Sequence, residues 1–280
     1  MIGAIIGDIV GSNYEFRPVD EYDFDLFPTG ADYTDDSLMT IAVAKALLEY
    51  LDLDEDEKSV EKLRGLFVSH MQELGRRFPN PKGAYGGSFG MWLQASDPQP
   101  YNSWGNGSAM RVSAPGELAT SLEEALEFAK ASAEVTHNHP EGIKGAQATA
   151  VAIYLARTGE TKEGIADYIS KNFYPLDRTL EEIRPGYVFA ESCQETVPES
   201  IQAFIESNTF EEAIRNTVWL GGDADTMGAI TGSIAWAYYV KNGGVDDQMD
   251  FMSQVALNCL PDDLRNFVVA YEDGLAQNQE

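Results

Sequence analysis

Basic residues are scarce in this 280-residue chain: 19 lysines and arginines stand against 46 aspartates and glutamates, a net charge of −27. That field repels DNA and RNA unless a local basic stripe is present, and only the pair Arg76-Arg77 resembles one. General nucleic-acid binding is therefore not expected, and anionic membrane surfaces are disfavoured for the same reason. There are two cysteines, Cys193 and Cys259. They make no disulfide framework and point to a reducing, cytoplasmic setting. The three histidines, His70, His137 and His139, are too few for an ordinary zinc site. Long apolar runs are also missing. The stretch from Met227 to Val240 falls short of the roughly 20 residues that a bilayer span needs, and it contains Gly, Thr and Ser. The opening MIGAIIGDIVGS is apolar, but it has no basic lead and Asp8 interrupts it, so a signal peptide is not expected. Neither G-x-G-x-x-G nor a Walker A pattern occurs, which removes P-loop and dinucleotide folds.

What is present is helical. In Ser59–Phe78 the apolar residues Val60, Leu63, Phe67, Met71, Leu74 and Phe78 recur at steps of three and four, one buried stripe. Leu38–Leu51, Gly142–Arg157 and Asp262–Gln277 also read as helices. Capping boxes are expected at Ser121-x-x-Glu124 and Thr209-x-x-Glu212, with Gly221-Gly222 as a stop after the second run. Glu21–Phe27 alternates Tyr22, Phe24 and Leu26 with acids but stands alone as a strand signal. No βαβ alternation appears, so an all-α class is expected, as one domain over residues 1–280. Gly3, Gly7 and Gly11 share one helix face and would let a neighbouring helix come close. Asn80–Gly87 and Asp97–Gly107 read as ordered loops on that scaffold, where function often sits.

Two acidic clusters precede helices: Thr34-Asp35-Asp36 before Leu38, and Asp223-Ala224-Asp225-Thr226 before Met227. Each alone reads as a cap that satisfies free N–H groups and favours the helix dipole. A cap needs one oxygen, however, and each cluster offers two carboxylates and a hydroxyl. Four buried carboxylates would be costly unpaired, and they match the charge of two hard divalent cations. Capping and metal binding both remain open on this chemistry.

The blocks GDIVGSNYE, YTDDS, GNGSAMRVSAPG and GGDADTMGAITG closely resemble the ADP-ribosylglycohydrolase family, and THNHPEGIKGAQATA is similar to its Thr-His segment. They run from Gly7 to Gly232 in the family's order. The resemblance implies a compact all-α multi-helix domain with a binuclear Mg²⁺ or Mn²⁺ centre. It puts the ligands at Thr34, Asp35, Asp36, Asp223, Asp225 and Thr226. It makes Glu15 and Asp36 the catalytic candidates, with Asp8 behind the ligands. Substrate contacts would come from Asn106, Gly107, Ser108, Met110, His137 and the glycine-loop residue Gly86.

The activity implied is hydrolysis of the glycosidic bond between ADP-ribose and an O- or N-linked acceptor, with ADP-ribose or an ADP-ribosylated substrate as partner. The stretch GAYGGSFGMWLQ lacks a carboxylate, and Asp97 is the only one before GNGS. The nitrogenase-reactivating members carry an aspartate in that segment, so this chain looks more like members that cleave O-linked ADP-ribose. Arg111 would reach a phosphate or pair with a buried acid. Lys82 would face a phosphate or stay solvated. Tyr101 or Trp104 would stack on adenine or pack locally. Two rival readings are a two-metal nucleotide phosphohydrolase and a catalytically silent ADP-ribose-binding protein.

Overall fold

In a computed structural model, residues 1–277 are described. Fourteen α-helices and no strands occur among them, only the isolated bridges Thr34–Lys82 and Gly105–Ser192. The helices, α1 to α14, are Ile2–Gly11, Asp35–Leu51, Val60–Arg77, Gly87–Gln94, Ser113–Leu118, Leu122–Glu134, Pro140–Thr158, Lys162–Asn172, Leu180–Ile183, Cys193–Ile205, Phe210–Leu220, Ala224–Gly243, Asp247–Cys259 and Asp262–Gln277. None is long and apolar enough to cross a membrane. The all-α expectation holds, and α3 and α14 match their expected spans.

The centre is the pair α1 and α12. Every residue of α1 is buried, so apart from Asp8 its sequence is apolar all round rather than striped. Its glycines explain the packing. A Cβ at Gly3 would fall on the Gly232 carbonyl, one at Gly7 on the Gly228 carbonyl, and one at Gly11 on the Ala224 carbonyl. Gly228 and Gly232 meet Gly7 and Gly3 in return. The two backbones touch with no side chain between them. Asp8 on α1 is thereby brought beside the acidic first turn of α12.

Helix starts differ from expectation in an instructive way. Helix α2 begins three residues before Leu38, so Asp35 and Asp36 lie in its first turn, while Thr34 caps it by accepting from Asp36 N. Helix α12 begins at Ala224, and Asp223 makes no side-chain cap. Ser121 and Thr209 accept from Glu124 N and Glu212 N as expected. The returning glutamates instead take Thr120 N and Asn208 N, one residue further out. The full reciprocal box forms at Thr179–Glu182. Gly221, at φ 88°, ends α11 as expected. Glu21–Phe27 forms no strand: its Phe24 packs on Tyr14, and no neighbour offers a pairing edge. Helix α10 carries Pro198 in its interior, which disguised it in the sequence.

Candidate active site

Three chain segments meet where α1, α2 and α12 converge. Asp8 is fully buried and accepts from Thr34 N at 3.0 Å, Thr34 Oγ1 at 2.7 Å, Ser37 N at 3.1 Å and the Ser37 hydroxyl. It therefore ties the N-terminus of α2 to α1 and fixes the direction of Asp36. Carboxylate oxygens of Asp8, Asp36 and Asp225 lie within 4.8 Å of one another, and so do those of Glu15, Asp223 and Asp225. Asp225 belongs to both trios. Asp35 lines the same cavity beside them.

These charges crowd together, with Lys82 the cation that acts on them. Burial and then repulsion from Asp225 push the Asp35 and Asp36 carboxyls well above the usual range. Burial and Asp223 do the same to Asp225. Asp223 is pushed up to about 6 by burial, although Asn106 opposes the shift. Half-buried Glu15 is pushed up to about 8 by burial and by Asp225. Asp36 Oδ1 is buried with no hydrogen-bond partner. A buried acceptor in this position costs free energy unless something binds it. An all-oxygen donor set of this density suits a hard divalent cation, and Thr34 caps α2 as well.

Above the carboxylates opens a cavity of about 810 Å³. Its wall includes Glu15, Asp35, Asp36, Gly86, Asn106, Gly107, Met110, His137, Asp223, Asp225 and Thr226, so most of the expected site converges. Two expected residues do not reach the wall. Ser108 is fully buried, and its hydroxyl donates to Gly142 O at 2.7 Å, pinning the Asn106–Ser108 turn to α7. Thr34 spends its hydroxyl on Asp8 and Asp36.

Asn106 lines the wall, but its amide donates to Asp223 Oδ2 at 2.7 Å and to Thr196 Oγ1 at 3.2 Å. It holds an acidic residue in place. The Thr226 hydroxyl points at Met110 Sδ, 3.9 Å away.

The cationic side chains resolve differently from each other. Lys82 Nζ bonds Gly30 O, Ser12 Oγ and Asn13 Oδ1, so it stitches loops rather than facing a phosphate. Arg111 is buried at the cavity wall and pairs with no acid among the described residues. It donates to Ser132 O and Thr136 Oγ1, both at 2.8 Å, and burial lowers it to about 10. His139 is loop structure, as expected, since its Nδ1 caps α7 by accepting from Glu141 N. Tyr101 and Trp104 line the cavity and also pack on His137 and His139. Asp97 is exposed and lies outside the wall.

The non-glycine residues with positive φ among those described, Ala84 and Asn102, both line this cavity. Strained backbone of this kind persists where surroundings hold it, often at functional sites. Gly83, at φ 78°, sits where a Cβ would lie 3.6 Å from a Glu15 carboxylate oxygen. The segment from Phe189 to Glu195 also contributes wall. It carries no periodicity or motif, and nothing in the sequence singled it out.

The family model described as ADP-ribosylglycohydrolase matches residues 1–243. The human protein named ADP-ribosylhydrolase ARH3 is 26% identical, over 85% of this chain and 84% of its own length. The ADP-ribosyl-[dinitrogen reductase] glycohydrolase of Rhodospirillum rubrum is 27% identical, over 88% of this chain and 85% of its own. A solved structure described as an ADP-ribosylglycohydrolase-related protein complex superposes with a TM-score of 0.62 at 22% identity, covering 92% of this chain and 95% of that one.

Proposed function

The chain belongs to the ADP-ribosylglycohydrolase family, and on that premise we propose that it is a metal-dependent hydrolase releasing ADP-ribose from an O- or N-linked adduct. The observation that carries the reading is Asp225: it joins two carboxylate trios, one of which leaves Asp36 Oδ1 without a partner, at the floor of a substrate-sized cavity. Asp8, Asp36 and Asp225 would hold one Mg²⁺ or Mn²⁺, and Glu15, Asp223 and Asp225 a second, with Asp35 and Thr226 adjoining. When bound, the ions supply positive charge that neutralises the cluster and lowers the pKa of a bound water.

Hydrolysis breaks the bond from ribose C1″ to the acceptor atom. Water's hydroxyl goes to C1″ and its proton to the acceptor. Glu15 faces the cavity from the loop after α1, beside Asp225, and is the side chain placed to hold that proton in transit. Asn106 keeps Asp223 in register. Gly83, Gly86 and Gly87 leave bare backbone on the wall on either side of Tyr85, where a diphosphate can approach N–H groups. His137 and Arg111 supply the polar end of the cavity, and Arg111 offsets the repulsion between an acidic protein and a doubly negative ligand. Asp97, lying away from the wall, supports the O-linked preference.

The deciding assay is product identification with Mg²⁺, with Mn²⁺ and with EDTA. ADP-ribose as metal-dependent product is expected. AMP or inorganic phosphate would favour a nucleotide phosphohydrolase. Tight ADP-ribose binding with no turnover on any adduct would favour a binding protein.

A further inference from the structure

A second cavity, also about 810 Å³, adjoins the first at Glu15. Only Glu15, Phe16 and Phe189 belong to both. The Phe16 and Phe189 rings, 5.5 Å apart between centroids, form the divide. Gly221 and Gly222 wall the second cavity, and they run directly into Asp223. The groove therefore shares Glu15 with the first cavity and ends one residue short of Asp223.

Its chemistry is unlike that of the first. The floor is apolar, built from Trp219 and Leu220 with the more exposed Pro18 and Val188 beside them. Its one cationic side chain is already committed: Arg184 donates Nε to Trp219 O and Nη2 to Val19 O, and stacks 4.3 Å over the Trp219 ring. The rim is acidic. Asp20 and Glu181 are exposed there and make no ion pair among the described residues. Phosphates are repelled by such a rim, so ADP-ribose has no reason to lie in this groove.

A bond broken beside Glu15 has two halves, and the first cavity suits only the ADP-ribose half. We propose that the second groove holds the acceptor half: a polypeptide segment with an apolar side chain for the floor and basic side chains beside the ADP-ribosylated residue. This rests on the hydrolase reading above. Apolar contact with Val188 and Trp219 gives the segment grip, and Asp20 and Glu181 select its charge. A nucleic-acid acceptor is disfavoured by the same two carboxylates.

The test measures kcat/KM of the full chain, supplied with Mg²⁺ or Mn²⁺. The substrates are free O-ADP-ribosyl-serine, free N-ADP-ribosyl-arginine, and peptides bearing the cleaved linkage flanked by lysines or by glutamates. Lysine-flanked peptides are expected to exceed glutamate-flanked ones by about tenfold at low salt. Asp20→Lys with Glu181→Lys should erase or invert that preference. Val188→Ser, at a site 72% exposed and so harmless to folding, should slow both peptides by about threefold. All these variants should leave the free adduct within about twofold of wild type. Equal rates on the two peptides would overturn the proposal, as would a parallel loss on the free adduct. Cleavage of an ADP-ribosylated DNA end as fast as the lysine peptide would also overturn it. Release of ADP-ribose from none of these substrates would instead remove the hydrolase reading, and the acceptor groove with it.

Discussion

Thr136 Oγ1 lies 2.7 Å from His137 Nδ1, and the same hydroxyl accepts from Arg111 Nη2 at 2.8 Å. The hydroxyl's single hydrogen has two acceptors in reach, His137 Nδ1 at 2.7 Å and Ala133 O at 3.4 Å, and the shorter contact takes it. Nδ1 is therefore the acceptor and Nε2 carries the proton, a tautomer assigned from the hydrogen-bond network. Nε2 faces Gly105 and Gly107 on the cavity wall. Burial, and then the Arg111 charge, hold His137 well below the usual histidine range, so it stays a neutral donor.

Removing that hydroxyl should unfasten the ring. Thr136→Val is expected to weaken ADP-ribose binding by about fivefold, in line with one hydrogen bond of roughly 1 kcal/mol. Thr136→Ser should retain most of the affinity. With only three histidines in the chain, ¹⁵N spectra can report the tautomer directly. A wild-type spectrum with the proton on Nδ1 would refute this assignment.

Protons and divalent cations should compete for one cluster. The folded, metal-free chain holds Asp35, Asp36, Asp223 and Asp225 above their unfolded values, so it binds more protons than the unfolded chain. That stabilisation is complete below about pH 4, the unfolded carboxylate range, and is lost as pH rises through the folded values, about 6 for Asp223. Mg²⁺ or Mn²⁺ should therefore raise Tm by several degrees near pH ~7.5 and by much less near pH ~5. A Tm indifferent to saturating Mg²⁺ and Mn²⁺ at both values would count against the metal centre.

The shared position of Asp225 makes it more consequential than either trio's other members. Asp225→Asn is expected to abolish Mn²⁺ binding at both positions and to lower kcat by about a hundredfold or more. Asp36→Asn should remove one binding position. Because Asp225→Asn also relieves repulsion, its metal-free Tm should rise by about 3 °C. Calorimetric Mn²⁺ stoichiometry and melting curves check both parts, and an unchanged stoichiometry in Asp225→Asn would contradict the arrangement.

Close approach of α1 to α12 should tolerate no methyl group. Gly7→Ala would drive a Cβ into the Gly228 carbonyl and is expected to cost about 3 kcal/mol. It should also weaken metal binding, because Asp8 and Asp225 ride on the two helices. Gly65→Ala in α3 is the control: nothing lies within 4 Å of its Cβ position, and a helix interior gains about 1 kcal/mol from that change. Equal effects from the two substitutions in urea melts would argue against the glycine contact.

Periodicity and local chemistry in the chain determined the all-helical class, the spans of α3 and α14, the glycine face of α1 and the two acidic clusters beside helix starts. All of these are properties of neighbouring residues, and a helix repeats every 3.6 of them. The ordered family blocks added which residues to expect at the site. Tertiary structure alone decided how the pieces are shared out. Asp8 proved to be the clasp between α1 and α2, and Asp225 the member common to two trios. Asn106 was spent on Asp223, Ser108 on the Gly142 carbonyl, and Lys82 on loop carbonyls and side chains. The apolar groove behind Phe16 and Phe189 left no mark in the sequence, because its floor comes from separate segments between Pro18 and Leu220. A hydrogen-bond donor cannot reveal its acceptor from sequence when the two are far apart along the chain. Here the contact of bare glycine backbones between α1 and α12 brings Asp8 to Asp225.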